Sequence, residues 1–335
     1  MDTFSRTLSD NEKTRISQRT TEWYQFRHKL ITASNAYKAF ESQAQKNQLI
    51  YEKCKPLVID DDTDKRTINV NSPMHWGQKY EPVSVMLYES MYKTKIGDFG
   101  CIQHDKWPFI GASPDGINVD PESSRYGRLL EIKNIVNREI DGIPKKEYWV
   151  QMQLQMETCD LDECDFLECR FVEYKASTTH EGTSEEQEFM MDGDTMQWTQ
   201  AGERKGIIAY FNREDGNPLY VYMPLTIDTY KEYVEWEINT IKTSQDNGLT
   251  WIGNLYWCLA EMSCVLVDRN RRWFNDNIQS LSDIWDIIVR ERGTGYEHRA
   301  SNKKKRSESI CSDASNITNL NGTQLLTSWY KRNTD

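Results

Sequence analysis

The sequence lacks the features that mark membrane, secreted and disulfide-rich proteins. It has no run of about 18 apolar residues, so we expect no membrane-spanning helix. Its first residues are polar and charged, without the apolar stretch of a secretion signal, so we expect an intracellular protein. Eight cysteines in 335 residues do not suggest a disulfide framework in such a chain. Cys159, Cys164 and Cys169 recur every five residues, which fits neither zinc nor iron–sulfur spacing, so we predict thiols that are buried or without a role.

The chain also lacks the net positive charge that is typical of nucleic-acid-binding proteins. Its formal net charge is −11, although residues 301–335 are basic, with six Lys and Arg against three Asp and Glu. An acidic surface is compatible with a basic groove elsewhere on the same molecule. The charge alone therefore does not decide the partner.

Hydrophobic periodicity predicts helices that alternate with short strands. The helices are expected as two short ones within residues 20–46 and longer ones at about 75–92, 145–159, 228–244 and 268–292. Strands are expected within residues 97–119, 128–136 and 165–174, followed by a hairpin over 206–225 that turns at Arg213–Asn217. This order predicts an α/β fold with a central mixed β-sheet flanked by helices.

Composition predicts one domain and a tail. We expect residues 1–297 to form the domain, with its sequence motifs in 18–175 and a C-terminal hairpin and helices in 206–297. The acidic residues 176–205, rich in Ser and Thr, indicate a surface insertion. The remaining residues, 298–335, are rich in Ser, Asn, Lys and Thr, which predicts a disordered basic and polar tail.

Residues 109–134 contain an aspartate in a turn and, on the next predicted strand, an acid and a lysine two residues apart. Asp115 lies in the turn, and Glu131 and Lys133 share one face of the strand because side chains alternate. A salt bridge at a strand end explains Glu131 and Lys133 taken alone, and Asp115 taken alone is an ordinary turn residue. Taken together, a hairpin would bring both carboxylates beside the lysine. Such oxygen ligands suit Mg²⁺ or Mn²⁺, and with a lysine they supply what metal-assisted phosphodiester hydrolysis requires.

These residues resemble the signature of PD-(D/E)xK nucleases, with Asp115 followed by Glu131 and Lys133. Three further motifs make the sequence similar to the lambda exonuclease and YqaJ-like viral recombinase family. They are QRTTEWYQFRHKLITAS at 18–34, HWGQKYEP at 75–82 and YWVQMQLQM at 148–156. Residues 264–285, CVLVDRNRRWFNDNIQSLSDIW, look like the C-terminal strand and helix of family members from large DNA viruses, a weaker signal than the motifs. All four motifs occur in family order, so their combination is specific although each alone is weak. The resemblance implies a restriction-endonuclease-like core.

The resemblance also implies roles for individual residues. The metal ligands that it implies, for two Mg²⁺ or Mn²⁺ ions, are Asp115, Glu131, the carbonyl of Ile132 and Glu81. Lys133 would activate the attacking water, and Gln153 would lie beside it in the active site. The residues that would contact a terminal 5′-phosphate or the DNA are Arg27, Ser34, Ser113 and Gln151. Because Gln151 and Gln153 cannot share one helix face, one of the two is expected to be structural. No second basic residue is assigned to the phosphate.

The implied function is a metal-dependent 5′→3′ exodeoxyribonuclease that exposes a 3′ single strand for recombination and repair in viral replication. The alternatives are a PD-(D/E)xK endonuclease, an exonuclease of the other polarity, and a DNA-end-binding protein without activity. Intact Asp115, Glu131 and Lys133 disfavour the last of these. Arg27 and Ser34 suit a chain end and therefore disfavour an endonuclease.

The resemblance extends to partners and location. The implied partners are duplex DNA ends, a single-strand annealing protein and further copies of the chain in a homotrimeric ring. The implied location is the host cytoplasm, at the viral replication site, or the nucleus. No membrane partner is expected.

The predicted tail contains two short features. Lys303–Arg306 is a basic tetrad, which fits a solvated tail by default and otherwise a nuclear-import signal or a loose DNA contact. The stretch TQLLTSWYKR resembles a degenerate sliding-clamp-binding peptide, with an apolar plug and an aromatic pair at Leu326, Trp329 and Tyr330. This resemblance implies a sliding clamp as a further partner.

Overall fold

The structure, a computed structural model, describes residues 16, 18–58, 68–174, 184–191 and 195–301. Within these residues the helices are α1 Thr21–His28, α2 Ala33–Ala36, α3 Gln43–Cys54, α4 Pro73–Tyr92, α5 Lys146–Cys159, α6 Glu185–Met191, α7 Tyr230–Asp246 and α8 Arg271–Thr294. The strands are β1 Ile31–Thr32, β2 Ile96–Gly97, β3 Ile102–Gln103, β4 Ile110–Ala112, β5 Gly116–Asn118, β6 Leu129–Asn134, β7 Glu163–Glu173, β8 Lys205–Asn212, β9 Pro218–Tyr222 and β10 Thr250–Asp268.

The strands form a seven-stranded sheet in the order β2-β5-β6-β7-β10-β8-β9 and a three-stranded sheet in the order β1-β4-β3. In the larger sheet β6 and β7 run parallel, and the other neighbouring strands are antiparallel. The predicted fold class, a central mixed sheet flanked by helices, is therefore confirmed. The predicted hairpin is also present, with β8 and β9 joined by a turn in which Gly216 has a φ of 78°.

Local capping explains where the long helices begin. The Ser72 hydroxyl accepts a hydrogen bond from the His75 N–H ahead of α4. Asn270 caps α8 in the same way by accepting from the Trp273 N–H. The predicted helices match α4, α5, α7 and α8 to within a few residues. α3 was not predicted, because most of it lies beyond the two short helices expected within residues 20–46.

The centre of the sheet is packed between α4 and α5. Leu130 of β6 packs in a cluster with Tyr80 of α4. Leu129, one residue earlier, packs on the opposite face with Met152 of α5. The alternation that was predicted for this strand therefore separates its two faces, and Glu131 lies on the face that α5 covers. Both faces of β6 are buried, which suits a strand with a parallel neighbour.

β10 is the element that the sequence predicted least well. Only its last residues, from Cys264, were recognised as a strand, whereas the strand has 19 residues and pairs with both β7 and β8. Its register shifts between Trp251 and Gly253 and again between Leu259 and Glu261. Each bulge adds one residue and reverses the phase of the alternation, so no single period of two runs through the strand.

The segment 176–205 is more than a surface insertion in its described part, which corrects that prediction. It carries α6, and Phe189 of this helix is fully buried. Phe189 and Met196 pack with Ile207, Tyr233 and Tyr256 in a core cluster of their own. Composition concealed this because the apolar residues are few among many acids.

Two expectations from the sequence concern residue types rather than elements. Cys159, Cys164 and Cys169 are buried free thiols, as predicted. None of the helices in the described part of the chain combines the length and the apolar character that crossing a bilayer requires.

Candidate active site

The hairpin of β5 and β6 brings Asp115 beside Glu131. The two strands pair antiparallel, and Asp115 immediately precedes β5. The Asp115 Oδ2 accepts a hydrogen bond from the backbone N–H of Ile132 at 2.7 Å. The Ile132 side chain packs on the α4 side of the sheet, so that its backbone is left to face the turn. The juxtaposition expected from the sequence is therefore present.

The Glu131 carboxylate is fully buried, and three side chains donate to it. The Lys133 ammonium and the Gln151 amide both donate to Oε1, the amide at 2.7 Å. The Gln155 amide donates to Oε2 at 2.7 Å. Gln151 and Gln155 reach one carboxylate because they are one helical turn apart on α5. These bonds offset the cost of burying an ionised group.

Gln153 does not lie in the candidate active site, which corrects its predicted catalytic role. Its amide donates to the carbonyl of Asp268 at 3.0 Å, and its Oε1 accepts from the N–H of Asn270 at 2.6 Å. These contacts tie α5 to the junction between β10 and α8. A residue two positions after Gln151 points to a different face of the helix, so Gln153 is the structural glutamine of the pair.

Glu81 faces the same carboxylates from α4. Pro82 lies inside this helix rather than at its start, and Glu81 reaches the site from the helix interior. Its Oε2 forms a salt bridge with the Arg19 guanidinium at 2.7 Å. Burial raises the pKa of Glu81, an effect that Arg19 opposes and Glu131 reinforces.

The charges of the site act on one another. Burial raises the pKa of Asp115 well above its usual range, and the nearby Glu131 and Glu81 carboxylates raise it further. Burial alone would lower the pKa of Lys133, but the Glu131 and Asp115 carboxylates outweigh it and hold that pKa above its usual value. Lys133 is therefore a charged counter-ion of the carboxylates in this state.

Three of the four predicted phosphate or DNA contacts, Arg27, Ser34 and Ser113, form one group. The Arg27 guanidinium donates to the Ser113 hydroxyl at 2.9 Å and to the Ser34 hydroxyl at 3.2 Å. The guanidinium also lies over the Trp23 ring, 4.2 Å from its centroid, which fixes its plane. Arg27 lies in the last turn of α1, Ser34 lies in the first turn of α2, and Ser113 precedes Asp115 by two residues. A planar fork with two hydroxyls is suited to a phosphate group.

A single cleft of about 410 Å³ contains both groups. Its lining includes the candidate metal ligands and lysine, Glu81, Asp115, Glu131, Ile132 and Lys133, and the candidate phosphate contacts, Arg27, Ser34, Ser113 and Gln151. Gln153 does not line it. Every predicted core site residue except Gln153 therefore lies in one place.

The residues that carry this cleft lie largely within a known domain. Residues 22–162 match the family model of the YqaJ-like viral recombinase domain. Over these residues the chain is similar to YqaJ-like viral recombinase domains. The resemblance inferred from the motifs is therefore confirmed.

Individual proteins similar to the chain come from a virus and a bacterium. An uncharacterized protein of Acanthamoeba polyphaga mimivirus is 29% identical over 304 residues, which cover 82% of this chain and 53% of that protein. The chain thus spans about half the length of the curated relative that it matches. An alkaline exonuclease of Laribacter hongkongensis is 17% identical, with a TM-score of 0.45, and the match covers 82% of this chain and 94% of that one. Its complex with dAMP gives 18% identity, a TM-score of 0.42 and the same coverage.

The donor chemistry of the carboxylates in the cleft fits a divalent cation. Each carboxylate oxygen has about two lone pairs, so Oε2 of Glu131 can accept one ligand bond beyond the one from Gln155. Asp115 Oδ2 likewise accepts one bond from the Ile132 N–H. No group of three or more His, Cys, Asp or Glu side chains in the described residues is arranged as a ready metal site.

The sequence analysis missed two residues that contact the carboxylates of the candidate active site. Gln155 holds Glu131, and its spacing of four from Gln151 is the signal that would have identified it. Arg19 lines the cleft beside Glu81, but the two residues are 62 positions apart in the chain, so no local sequence pattern predicts their contact. The candidate clamp-binding residues Leu326, Trp329 and Tyr330, and the tetrad Lys303–Arg306, lie outside the described residues.

Proposed function

We propose that the chain is a metal-dependent deoxyribonuclease that degrades one strand of duplex DNA from its ends in the 5′→3′ direction. The observation that carries this proposal is the occupation of one cleft by two groups of side chains. One group, with Asp115, Glu131 and Lys133, suits hydrolysis of a phosphodiester. The other, centred on Arg27, suits a phosphate at a chain end. A cleft that grips an end beside its hydrolytic group favours an exonuclease over an endonuclease.

In the proposed reaction the carboxylates hold the metal. Asp115, Glu131, the Ile132 carbonyl and Glu81 would be the ligands of two Mg²⁺ or Mn²⁺ ions. Such ions lower the pKa of a bound water and stabilise the charge that develops on the phosphate. Lys133 lies on the same strand face as Glu131, where it would orient the attacking water and share the phosphate charge.

The two glutamines of α5 would position the site without touching the reacting atoms. Gln151 and Gln155 each donate to a different oxygen of Glu131 at 2.7 Å, which fixes the carboxylate in its plane. Gln151 also lines the cleft, so its amide would lie near the DNA as well. The Arg27 guanidinium would replace its present hydroxyl contacts with a terminal 5′-phosphate, with Ser34 and Ser113 as additional donors.

Digestion of labelled duplexes tests the proposal. Linear duplexes labelled at the 5′ or the 3′ end, and closed circles, are incubated with the full chain in Mg²⁺ or in EDTA. We expect the linear duplex to release its 5′ label first, the circle to remain intact and EDTA to abolish cleavage. Cleavage of closed circles would reject an exonuclease, early release of the 3′ label would reverse the polarity, and activity in EDTA would reject the metal.

Substitutions at the centre separate binding from cleavage. Asp115→Asn and Lys133→Ala should each abolish cleavage while the protein still binds DNA ends. Asp105→Asn, which removes an exposed carboxylate outside the cleft, is the matched control and should cut normally. Normal cleavage by either of the first two variants would remove that residue from the mechanism.

The proposed product determines the proposed partners. Degradation from 5′ ends leaves a 3′ single strand, which a single-strand annealing protein would bind during recombination and repair. A homotrimeric ring around the duplex and a sliding clamp bound to the C-terminal residues would both keep the enzyme on its substrate. The cytoplasmic viral replication site and the nucleus are the proposed locations.

A further inference from the structure

Arg19 holds a backbone conformation that its side chain disfavours. Its φ is 68°, in the left-handed region. In the described part of the chain the other non-glycine residues with positive φ are Lys93 and Asp160, which end α4 and α5 as left-handed caps. Arg19 ends no helix and instead lies just ahead of α1. Strain of this kind concentrates where function requires a particular geometry.

The strained backbone aims the guanidinium at the candidate active site. Gln18 anchors the segment, because its amide donates to the Asp98 carboxylate at 3.3 Å and to the Pro114 carbonyl at 3.5 Å. From this anchor the Arg19 guanidinium reaches Oε2 of Glu81 at 2.7 Å. The exposed fractions of the two side chains are 46% and 29%, so the pair is partly open to water. A surface pair of this kind stabilises a fold very little, which leaves the strain without a structural explanation.

The pair lies where two cavities meet. Arg19, Glu81 and Asp115 line both the cleft of about 410 Å³ and a second cavity of about 430 Å³. Movement of the guanidinium away from Glu81 would therefore change the cleft at the position of its carboxylates. The half-exposed side chain is free to turn while its backbone stays anchored.

We propose that Arg19 exchanges partners. In the metal-free protein its guanidinium pairs with Glu81, and once Glu81 binds a divalent cation the guanidinium pairs with a DNA phosphate instead. This proposal rests on the proposed function. A divalent cation and a guanidinium compete for the same carboxylate and repel each other. The guanidinium fork matches a phosphate, and the bound strand supplies one in this cleft. Arg19, to which the motifs gave no role, would thus be the second basic residue at the phosphate, acting beside Arg27.

The test compares Arg19→Gly with the wild-type full chain. Glycine is the residue that a φ of 68° favours, so this variant relieves strain and should fold. Binding of a 5′-phosphorylated duplex is measured by fluorescence anisotropy in Ca²⁺ and in EDTA, with a gel to verify that the DNA is intact. Binding of Ca²⁺ to the DNA-free protein is measured by calorimetry. Arg272→Ala, which removes an arginine that is 92% exposed on α8, is the matched control for lost charge.

The exchange predicts a loss that depends on the cation. In Ca²⁺ the affinity of Arg19→Gly for the duplex should fall about tenfold, the contribution of one charge-assisted hydrogen bond. In EDTA its affinity should change by less than about twofold, since wild-type Arg19 is then held by Glu81. Its affinity for Ca²⁺ without DNA should rise several-fold, because no guanidinium competes for Glu81. Arg272→Ala should match the wild type in all three measurements.

Three outcomes would overturn the exchange: an equal loss in Ca²⁺ and in EDTA, no loss in Ca²⁺, or an unchanged affinity for Ca²⁺. The proposed function fails separately. If the wild-type chain neither cuts duplex ends in Mg²⁺ nor binds them in Ca²⁺, both proposals are rejected. If the wild type does both and Arg19→Gly equals it, only the exchange is rejected.

Discussion

The position of Gln153 leads to a prediction that separates stability from cleavage. Gln153→Met keeps a residue that favours the helix and has a similar side-chain volume. It loses two hydrogen bonds, one that the Gln153 amide donates to the Asp268 carbonyl at 3.0 Å and one that its Oε1 accepts from the Asn270 N–H at 2.6 Å. A buried polar group left without a partner costs about 1–3 kcal/mol. Both contacts are only partly buried, so we expect the free energy of unfolding to fall by about 2 kcal/mol in total. Urea denaturation measures this loss directly.

The same variant should cut DNA normally once it is folded. Its cleavage rate, normalised to the folded fraction at low temperature, is compared with that of Gln155→Met. Gln155→Met removes the amide that donates to Oε2 of Glu131, so its rate should fall about tenfold. Its stability should change less, because the Oε1 of Gln155 has no hydrogen-bond partner among the described residues. A large loss of cleavage by Gln153→Met with unchanged stability would return Gln153 to the active site and refute this assignment.

Three further predictions test the surroundings of the site. Arg27→Lys keeps the charge but not the fork, so binding of 5′-phosphorylated ends should weaken about tenfold and binding of 5′-hydroxyl ends should not change, as competition anisotropy would show. Burial, together with Arg27, lowers the pKa of Lys53 to about 7. The unfolded state then binds more protons between about pH 7 and 10, so the free energy of unfolding should rise with pH across that window. Urea titrations should show that Lys53→Met abolishes the slope. Asp165→Asn should lower the free energy of unfolding by about 3 kcal/mol, because Arg125 and Arg128 both pair with this buried carboxylate; a loss below about 1 kcal/mol in urea denaturation would contradict this.

The parts of the site that follow from short-range patterns were predictable from the sequence. The contact between Asp115 and Glu131 was predictable because a hairpin brings the turn beside the next strand, and the alternation of side chains fixes the face on which Glu131 lies. Arg27, Ser34 and Ser113 were predicted together because the motifs occur in family order, and the structure joins all three by hydrogen bonds. In these cases the local geometry and the long-range contact agree.

The predictions that failed depend on the helical or strand phase of a residue or on contacts between residues far apart in the chain. Gln153 and Gln155 are two positions apart on a helix, so the helix turns by more than half a circle from one side chain to the other. Gln155 therefore contacts Glu131 in the active site, whereas Gln153 contacts the junction between β10 and α8. In β10 the bulges near Trp251 and Leu259 reverse the alternation, so no periodic signal survives. Arg19 contacts Glu81, which is 62 residues away in the chain, and it does so from a left-handed backbone conformation that arginine rarely adopts.

The balance of charge in the cleft bears on how an acidic chain binds DNA. The whole sequence has a net charge of −11, and the cleft places the carboxylates of Glu81, Asp115 and Glu131 where a phosphate would lie. Lys133 and Arg19 are each paired with one of these carboxylates, so neither charge is available to the strand in the metal-free state. Without divalent cations the carboxylates would therefore repel the strand that Arg27 attracts. It follows that divalent cations should strengthen binding of the end as well as permit cleavage.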